Sequence, residues 1–276
     1  MESYQESFSQ AADGLKLFAC GYQPSGPVKA VVVISHGYAE HVGRYKHVAE
    51  ALRLGGYRVE LLDHRGHGKS EGARANIQHF SQYRKDLAAF IDKLPSDLAI
   101  FLLGHSMGGA VALDYALEHQ ARLKGLILSA PFLANATPVS PVLKSIAQLV
   151  GQVVPDLALQ PLDARAISRI EAVVKAYQQD PLVYNGKVKA RIGAEMIRIG
   201  PELLKAARNL ALPLLIIHGD DDKIAALSGS QQLFKEAGSS DKQLKIYPKS
   251  YHEVFNDLDA EQALEDVLGW LEPHLV

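Results

Sequence analysis

The sequence predicts an α/β protein in which a mostly parallel, doubly wound sheet is interrupted by a helical insertion. Three observations predict it. Short apolar runs rich in β-branched residues recur along the chain, segments of helical period separate them, and the alternation lapses over one long middle stretch.

The apolar runs fall at residues 30–34, 57–62, 99–103, 125–128, 214–217 and 244–247. Runs this short, apolar on successive residues, suit strands covered on both faces by crossover helices. Residues 43–54, 80–94 and 108–118 carry apolar side chains three and four apart, as those crossover helices require. Between about 132 and 210 no clear strand is readable, but Val142, Leu143, Ile146, Leu149, Val150, Val153 and Val154 trace an amphipathic helix. Pro138, Pro141, Pro155 and Pro161 divide this stretch into short helices joined by turns. The expected organisation is a core of residues 1–131 and 211–276 with a helical cap, or lid, at 132–210. Packing on the core and lining a substrate pocket are equally good reasons for an apolar cap helix.

A chain of 276 residues, 47% hydrophobic, can bury one substantial core and still carry an inserted subdomain. Its formal net charge of -2 leaves no basic surplus to neutralise a phosphate backbone, which argues against nucleic acid as a partner. The single cysteine, Cys20, has no intramolecular partner and sits in an apolar stretch, so it reads as a buried thiol in a reducing compartment. Met1-Glu2-Ser3-Tyr4-Gln5-Glu6-Ser7 lacks the positive flank and apolar core of a secretory signal, and no run is long enough to span a bilayer. A cytoplasmic protein is expected, with transient membrane-surface contact through the cap. The sequence carries no signal for oligomeric state.

The chemistry is carried by Gly104-His105-Ser106-Met107-Gly108-Gly109, placed between the run 99–103 and a helical segment. A serine at such a strand-turn-helix junction is held in strained backbone, so its neighbours two residues before and after must be small. The helix that follows starts beneath the serine and aims free N–H groups at developing negative charge. A serine hydroxyl is a poor nucleophile at neutral pH; a histidine must take its proton and a carboxylate must fix that histidine's tautomer. After the run 244–247 comes Pro248-Lys249-Ser250-Tyr251-His252-Glu253, which makes His252 the base. After 214–217 comes His218-Gly219-Asp220-Asp221-Asp222, with three candidate acids that the residues alone do not rank. An oxyanion hole is expected from the backbone N–H of Met107 and that of Tyr38, which follows Gly37 at the end of another strand.

Together these pieces resemble the monoacylglycerol lipase and lysophospholipase group of the α/β-hydrolase superfamily. The matching runs are His36-Gly37-Tyr38-Ala39-Glu40-His41-Val42-Gly43-Arg44-Tyr45, Asp63-His64-Arg65-Gly66-His67-Gly68-Lys69-Ser70-Glu71-Gly72, the serine motif, and Tyr251-His252-Glu253. The resemblance implies an α/β-hydrolase fold and Asp222 as the acid. It further implies Glu40, Arg44 and Tyr177 beside the polar head of the substrate, although an internal ion pair and a packed tyrosine would explain these residues equally simply. It also accounts for Asp63, His64 and His67 without a metal, and the implied chemistry needs no cofactor. Two departures, Lys249-Ser250 before the histidine and Lys223-Ile224-Ala225-Ala226 after the acid, remove no catalytic group. The expectation is a serine hydrolase of single-chain lipid esters, most specifically monoacylglycerol. The alternatives are a general carboxylesterase or lysophospholipase, a peptide or thioester hydrolase, and a non-catalytic receptor on the same fold. A carboxylate-nucleophile dehalogenase or epoxide hydrolase is disfavoured by Ser106.

Overall fold

The computed structural model describes residues 4–137 and 139–275. The chain opens with an antiparallel hairpin, β1 (Tyr4–Gln10) and β2 (Lys16–Tyr22), in which Phe8 faces Phe18. There follow β3 (Val31–Ser35), α1 (Lys46–Leu54), β4 (Arg58–Leu62), α2 (Ser81–Ile91), β5 (Ile100–His105), α3 (Met107–His119) and β6 (Gly125–Ser129). The chain then leaves the sheet through α4 (Pro141–Val153), β7 (Ala158–Pro161), α5 (Glu171–Gln179), β8 (Lys187–Lys189) and α6 (Ala190–Ala206). It returns at β9 (Leu214–Gly219) and closes with α7 (Leu227–Glu236), β10 (Lys242–Tyr247) and α8 (Ala260–Leu271).

Among the described residues the main sheet has eight strands in the order β1-β2-β4-β3-β5-β6-β9-β10. It is parallel from β4 to β10 and antiparallel at β2 and β1. Alternate residues of each central strand feed opposite faces, as the two-residue period of a strand dictates. Val31, Val33, Ile100 and Leu102 enter a core shared with α2, α3 and α6, while Val32, Ile34, Phe101 and Leu103 enter one shared with α1 and α8. Burial on both faces is why these runs read as continuously apolar rather than alternating. Strand order reverses about β3: β4 lies on one side of it and β5 on the other. A crevice opens outside the carboxyl ends of two such strands, because their crossovers run to opposite faces.

Two features depart from the sequence expectation. The sequence expectation places no strand at β1 or β2: β1 is a solvent-facing edge, with Ser9 its one buried residue, whereas β2 is buried from Leu17 to Tyr22 and showed only as the apolar stretch around Cys20. The excursion between β6 and β9 is not all helical: β7 and β8 pair as a small antiparallel sheet, and Pro161 belongs to it rather than to a turn between helices. β7 is exposed along its length, so no hydrophobic signal marked it. Helix α4 starts behind Ser140, whose hydroxyl accepts from the Leu143 N–H at 3.3 Å, and it ends before Pro155. Pro138 lies outside the described residues.

Candidate active site

Ser106 stands between β5 and α3 with φ 54° and ψ −119°, a left-handed conformation that a non-glycine residue holds only when its surroundings enforce it. The enforcement is steric. A Cβ at Gly104 would crowd Ala112 and Gly109, and one at Gly108 would overlap the carbonyl oxygens of Ser35 and His36. Helix α3 can therefore begin directly against the end of β3 only because these positions lack side chains. Met107 opens α3, so its N–H has no intrahelical acceptor.

His252, in the loop after β10, places Nε2 2.8 Å from Ser106 Oγ and Nδ1 2.6 Å from Asp222 Oδ2. The other Asp222 oxygen accepts from the N–H groups of Ile224 at 2.7 Å and Ala225 at 3.0 Å. His218, at the end of β9, brings Nε2 within 3.2 Å of Asp222 Oδ2 and is braced on its other ring nitrogen by the Ser230 hydroxyl at 2.8 Å. The three aspartates are thus separated by surroundings: Asp221 pairs with Lys223 near the surface, Asp220 accepts from the Lys249 N–H, and Asp222 is buried against His252.

Burial raises the Asp222 carboxyl, but the His252 charge and the hydrogen bonds from His218 and His252 outweigh it and hold the group well below the usual carboxylate range. Burial likewise disfavours imidazolium at His252. There the Asp222 charge and hydrogen bond win, with Glu253 and Glu40 adding to them, so His252 lies above the ordinary imidazole value. Its neighbour His105, with ring centres 4.8 Å apart, has no such partner, and burial pushes it down to about 3. Of two adjacent histidines, one therefore holds a proton more readily than a free imidazole and the other less.

A cavity of about 970 Å³ opens over these groups. Ser106, His252, Tyr38, Glu40 and Tyr177 lie on its wall, and Leu143, Leu159, Val188 and Met196 from the excursion make much of the rest apolar. A second cavity of about 720 Å³ shares Phe132 and Met196 with it but touches neither Ser106 nor His252.

Arg44, expected beside a substrate headgroup, is instead occupied internally and is not on the cavity wall. Its guanidinium donates to Glu40 at 2.8 Å and in two bonds to Glu253 at 2.5 and 2.7 Å, and it lies 4.6 Å from the Tyr177 ring centre. Glu40 accepts in addition from the Gly37 N–H and the Tyr45 hydroxyl, both at 2.6 Å. Glu253 and His218 are residues to which sequence reasoning gave no role. His218 sits on an apolar strand end, and Glu253 finds a partner 209 residues away. Asp63 accepts from the N–H groups of Val42 and Lys69 at 2.8 Å each and closes its own turn, while His67 Nδ1 reaches the Arg65 carbonyl at 3.0 Å.

Residues 26–259 match the family described as "Serine aminopeptidase, S33". Over 265 residues the chain is 38% identical to a monoacylglycerol lipase of Mycolicibacterium smegmatis, covering 95% of each. It is 35% identical over 251 residues to the monoglyceride lipase of Homo sapiens, covering 90% of this chain and 83% of that one. The crystal structure of a Paleococcus ferrophilus monoacylglycerol lipase superposes with a TM-score of 0.86 at 31% identity, covering 94% of this chain and 99% of that one. With a serine at the elbow, a histidine and an acid in register behind it, and relatives matched along nearly their whole length, the chain belongs to the Serine aminopeptidase, S33 family of α/β-hydrolases and is a carboxylic ester hydrolase akin to the monoacylglycerol lipases.

Proposed function

We propose that this protein hydrolyses monoacylglycerol to glycerol and fatty acid through an acyl-enzyme on Ser106. The observation that carries this reading is the hydrogen-bonded chain Ser106–His252–Asp222 at the wall of an apolar cavity. Ser106 Oγ attacks the ester carbonyl while His252 Nε2 takes its proton. The tetrahedral oxyanion is held by the N–H groups of Tyr38 and Met107. Collapse breaks the bond to the alcohol, which leaves with the proton from His252. Water then gives a proton to the same nitrogen and adds to the acyl carbon; collapse breaks the bond from that carbon to Ser106 Oγ, which takes the proton back from His252 as the fatty acid leaves.

Residues 132–210 act as a cap whose inner face shelters the acyl chain. Glu40 and Tyr177 present the polar end of the pocket, and Arg44 sets both from behind. The outer face of α4 is apolar, with Val142 70% and Leu149 62% exposed, and supports transient contact with a membrane surface from the cytoplasm. No described helix is long and apolar enough to cross a membrane.

The test is turnover across mono-, di- and triacylglycerols of graded chain length, with Ser106→Ala as control. Monoacylglycerols of medium or long chain are expected to be the preferred substrates. A peak on acetate or butyrate esters would leave a general carboxylesterase. Wild-type rates no higher than the control on every ester would remove the reading.

A further inference from the structure

The peptide joining Gly37 to Tyr38 is held by a buried side chain. Its carbonyl, that of Gly37, accepts a hydrogen bond from His36 Nδ1 at 2.8 Å. The other end of the same planar unit is the Tyr38 N–H. No described peptide bond is cis, so the C=O and N–H of this unit point in opposite directions, and a bond that fixes one fixes the other.

Which nitrogen of His36 carries the proton is decided by its second contact. The backbone N–H of His64 donates to His36 Nε2 at 2.9 Å, so Nε2 presents a lone pair and the proton of the neutral ring must sit on Nδ1. The ring is fully buried, and burial pushes it down to about 3, so it stays neutral through the working pH range. Other contacts hold the flanking peptides. The Gly37 N–H donates to Glu40 Oε1 at 2.6 Å, and the Ala39 carbonyl accepts from the Tyr184 N–H at 2.7 Å, with Ala39 itself at φ 69°. A Cβ at Gly37 would lie 3.3 Å from Ser106 Cβ, so this stretch of backbone rests against the nucleophile.

We propose that His36 is a positioning residue for acyl transfer: locked by His64 in the tautomer that donates to the Gly37 carbonyl, it aims and polarises the Tyr38 N–H toward the oxyanion. The inference rests on the reading of that N–H as an oxyanion donor. A donor already aligned, and strengthened by a hydrogen bond to the carbonyl of its own peptide, contributes when negative charge develops and little to ground-state binding.

Two polar variants separate this role from simple packing. The amide of His36→Asn reaches the place of Nδ1 and can still donate to the Gly37 carbonyl; that of His36→Gln reaches the place of Nε2 and cannot. Each is compared with wild type and Ser106→Ala for turnover of a monoacylglycerol, for binding of a long-chain trifluoromethyl ketone that adds to Ser106 as an oxyanion, and for binding of the inert ether analogue of the substrate. His36→Asn is expected to stay within roughly threefold of wild type. His36→Gln should lose on the order of 10- to 100-fold in kcat and a similar factor in ketone affinity, with the ether analogue unchanged. Equal behaviour of the two variants, or a loss shared equally by ketone and ether, would overturn the inference. A ketone that binds wild type no better than Ser106→Ala would instead overturn the hydrolase reading itself.

Discussion

At His252 two opposing effects meet, and on the proposed mechanism the outcome sets the pH at which the serine can be activated. Desolvation alone would keep the imidazole neutral far into acid, as it does at His105, but the adjacent Asp222 carboxylate reverses the sign. The base must be neutral to accept the Ser106 proton, so a raised value means that activity is lost as pH falls through a point above the ordinary 6.5 or so. The acid limb of kcat/KM for a dissolved ester is expected to show that inflection. Asp222→Asn should move the limb to lower pH, because desolvation is then opposed only by the weaker pull of Glu253 and Glu40, and should cut kcat by on the order of 10⁴. Arg44 acts through different physics. Its removal in Arg44→Ala leaves Glu40 and Glu253 buried without a counter-charge, and the expected loss is about 3 kcal/mol or more in denaturant unfolding.

At the scale of elements, the catalytic loop and the excursion are tied together more tightly than the word lid suggests. Asp257 accepts from the Tyr251 N–H at 2.8 Å and from Arg169 through its backbone N–H at 3.0 Å and Nε at 2.9 Å, and Arg169 also reaches Asp259 at 2.5 Å. The Glu253 N–H donates to the Ile167 carbonyl at 2.8 Å. Residues 167–169 of the excursion therefore hold the backbone on both sides of His252. Arg169→Ala is expected to lower kcat about tenfold, since small misplacements of a catalytic group are costly, and to speed amide exchange at 251–253. The elbow makes a second demand of this kind. Gly108→Ala should push α3 off the end of β3, lowering stability by about 3 kcal/mol and abolishing labelling of Ser106 by a fluorophosphonate.

Over the whole molecule, the reversal of strand order about β3 brings the Tyr38 loop and the Ser106 elbow to one crevice, and residues of the excursion line the cavity there. On the proposed reading, the membrane contact falls to the exposed apolar residues of helix α4. Leu143 and Ala147 line the cavity; Ile146 and Leu149 are not on its wall and are 51% and 62% exposed. The double variant Ile146→Ser, Leu149→Ser is expected to reduce turnover of monoacylglycerol in vesicles by about tenfold or more, from the apolar area no longer buried in lipid. Turnover of a dissolved short-chain ester should be unchanged. Equal losses on both substrates would assign that face to folding rather than to the membrane.

Much of this was legible from the residues because it is local. A strand buried on both faces carries a continuous apolar run, and β3, β5, β6 and β9 were readable for that reason; β4 was readable although Glu60 interrupts its run, and β10, half-exposed at the sheet edge, from the short run 244–247. The serine's turn needs glycines two residues away on each side, so its position was readable too, and so was the order of serine, acid and histidine. β1 and β7 were not, since exposed strands carry no burial pattern, and β2, though buried, showed only as an apolar stretch around Cys20. What only the tertiary structure decided is partnership across distance: Asp222 rather than Asp220 or Asp221 against His252, Arg44 spent on Glu253 rather than facing the cavity, and Arg169 on Asp257. Periodicity reports whether a side chain is buried, and the identity of its partner depends on how strands and loops far apart in the chain are brought together.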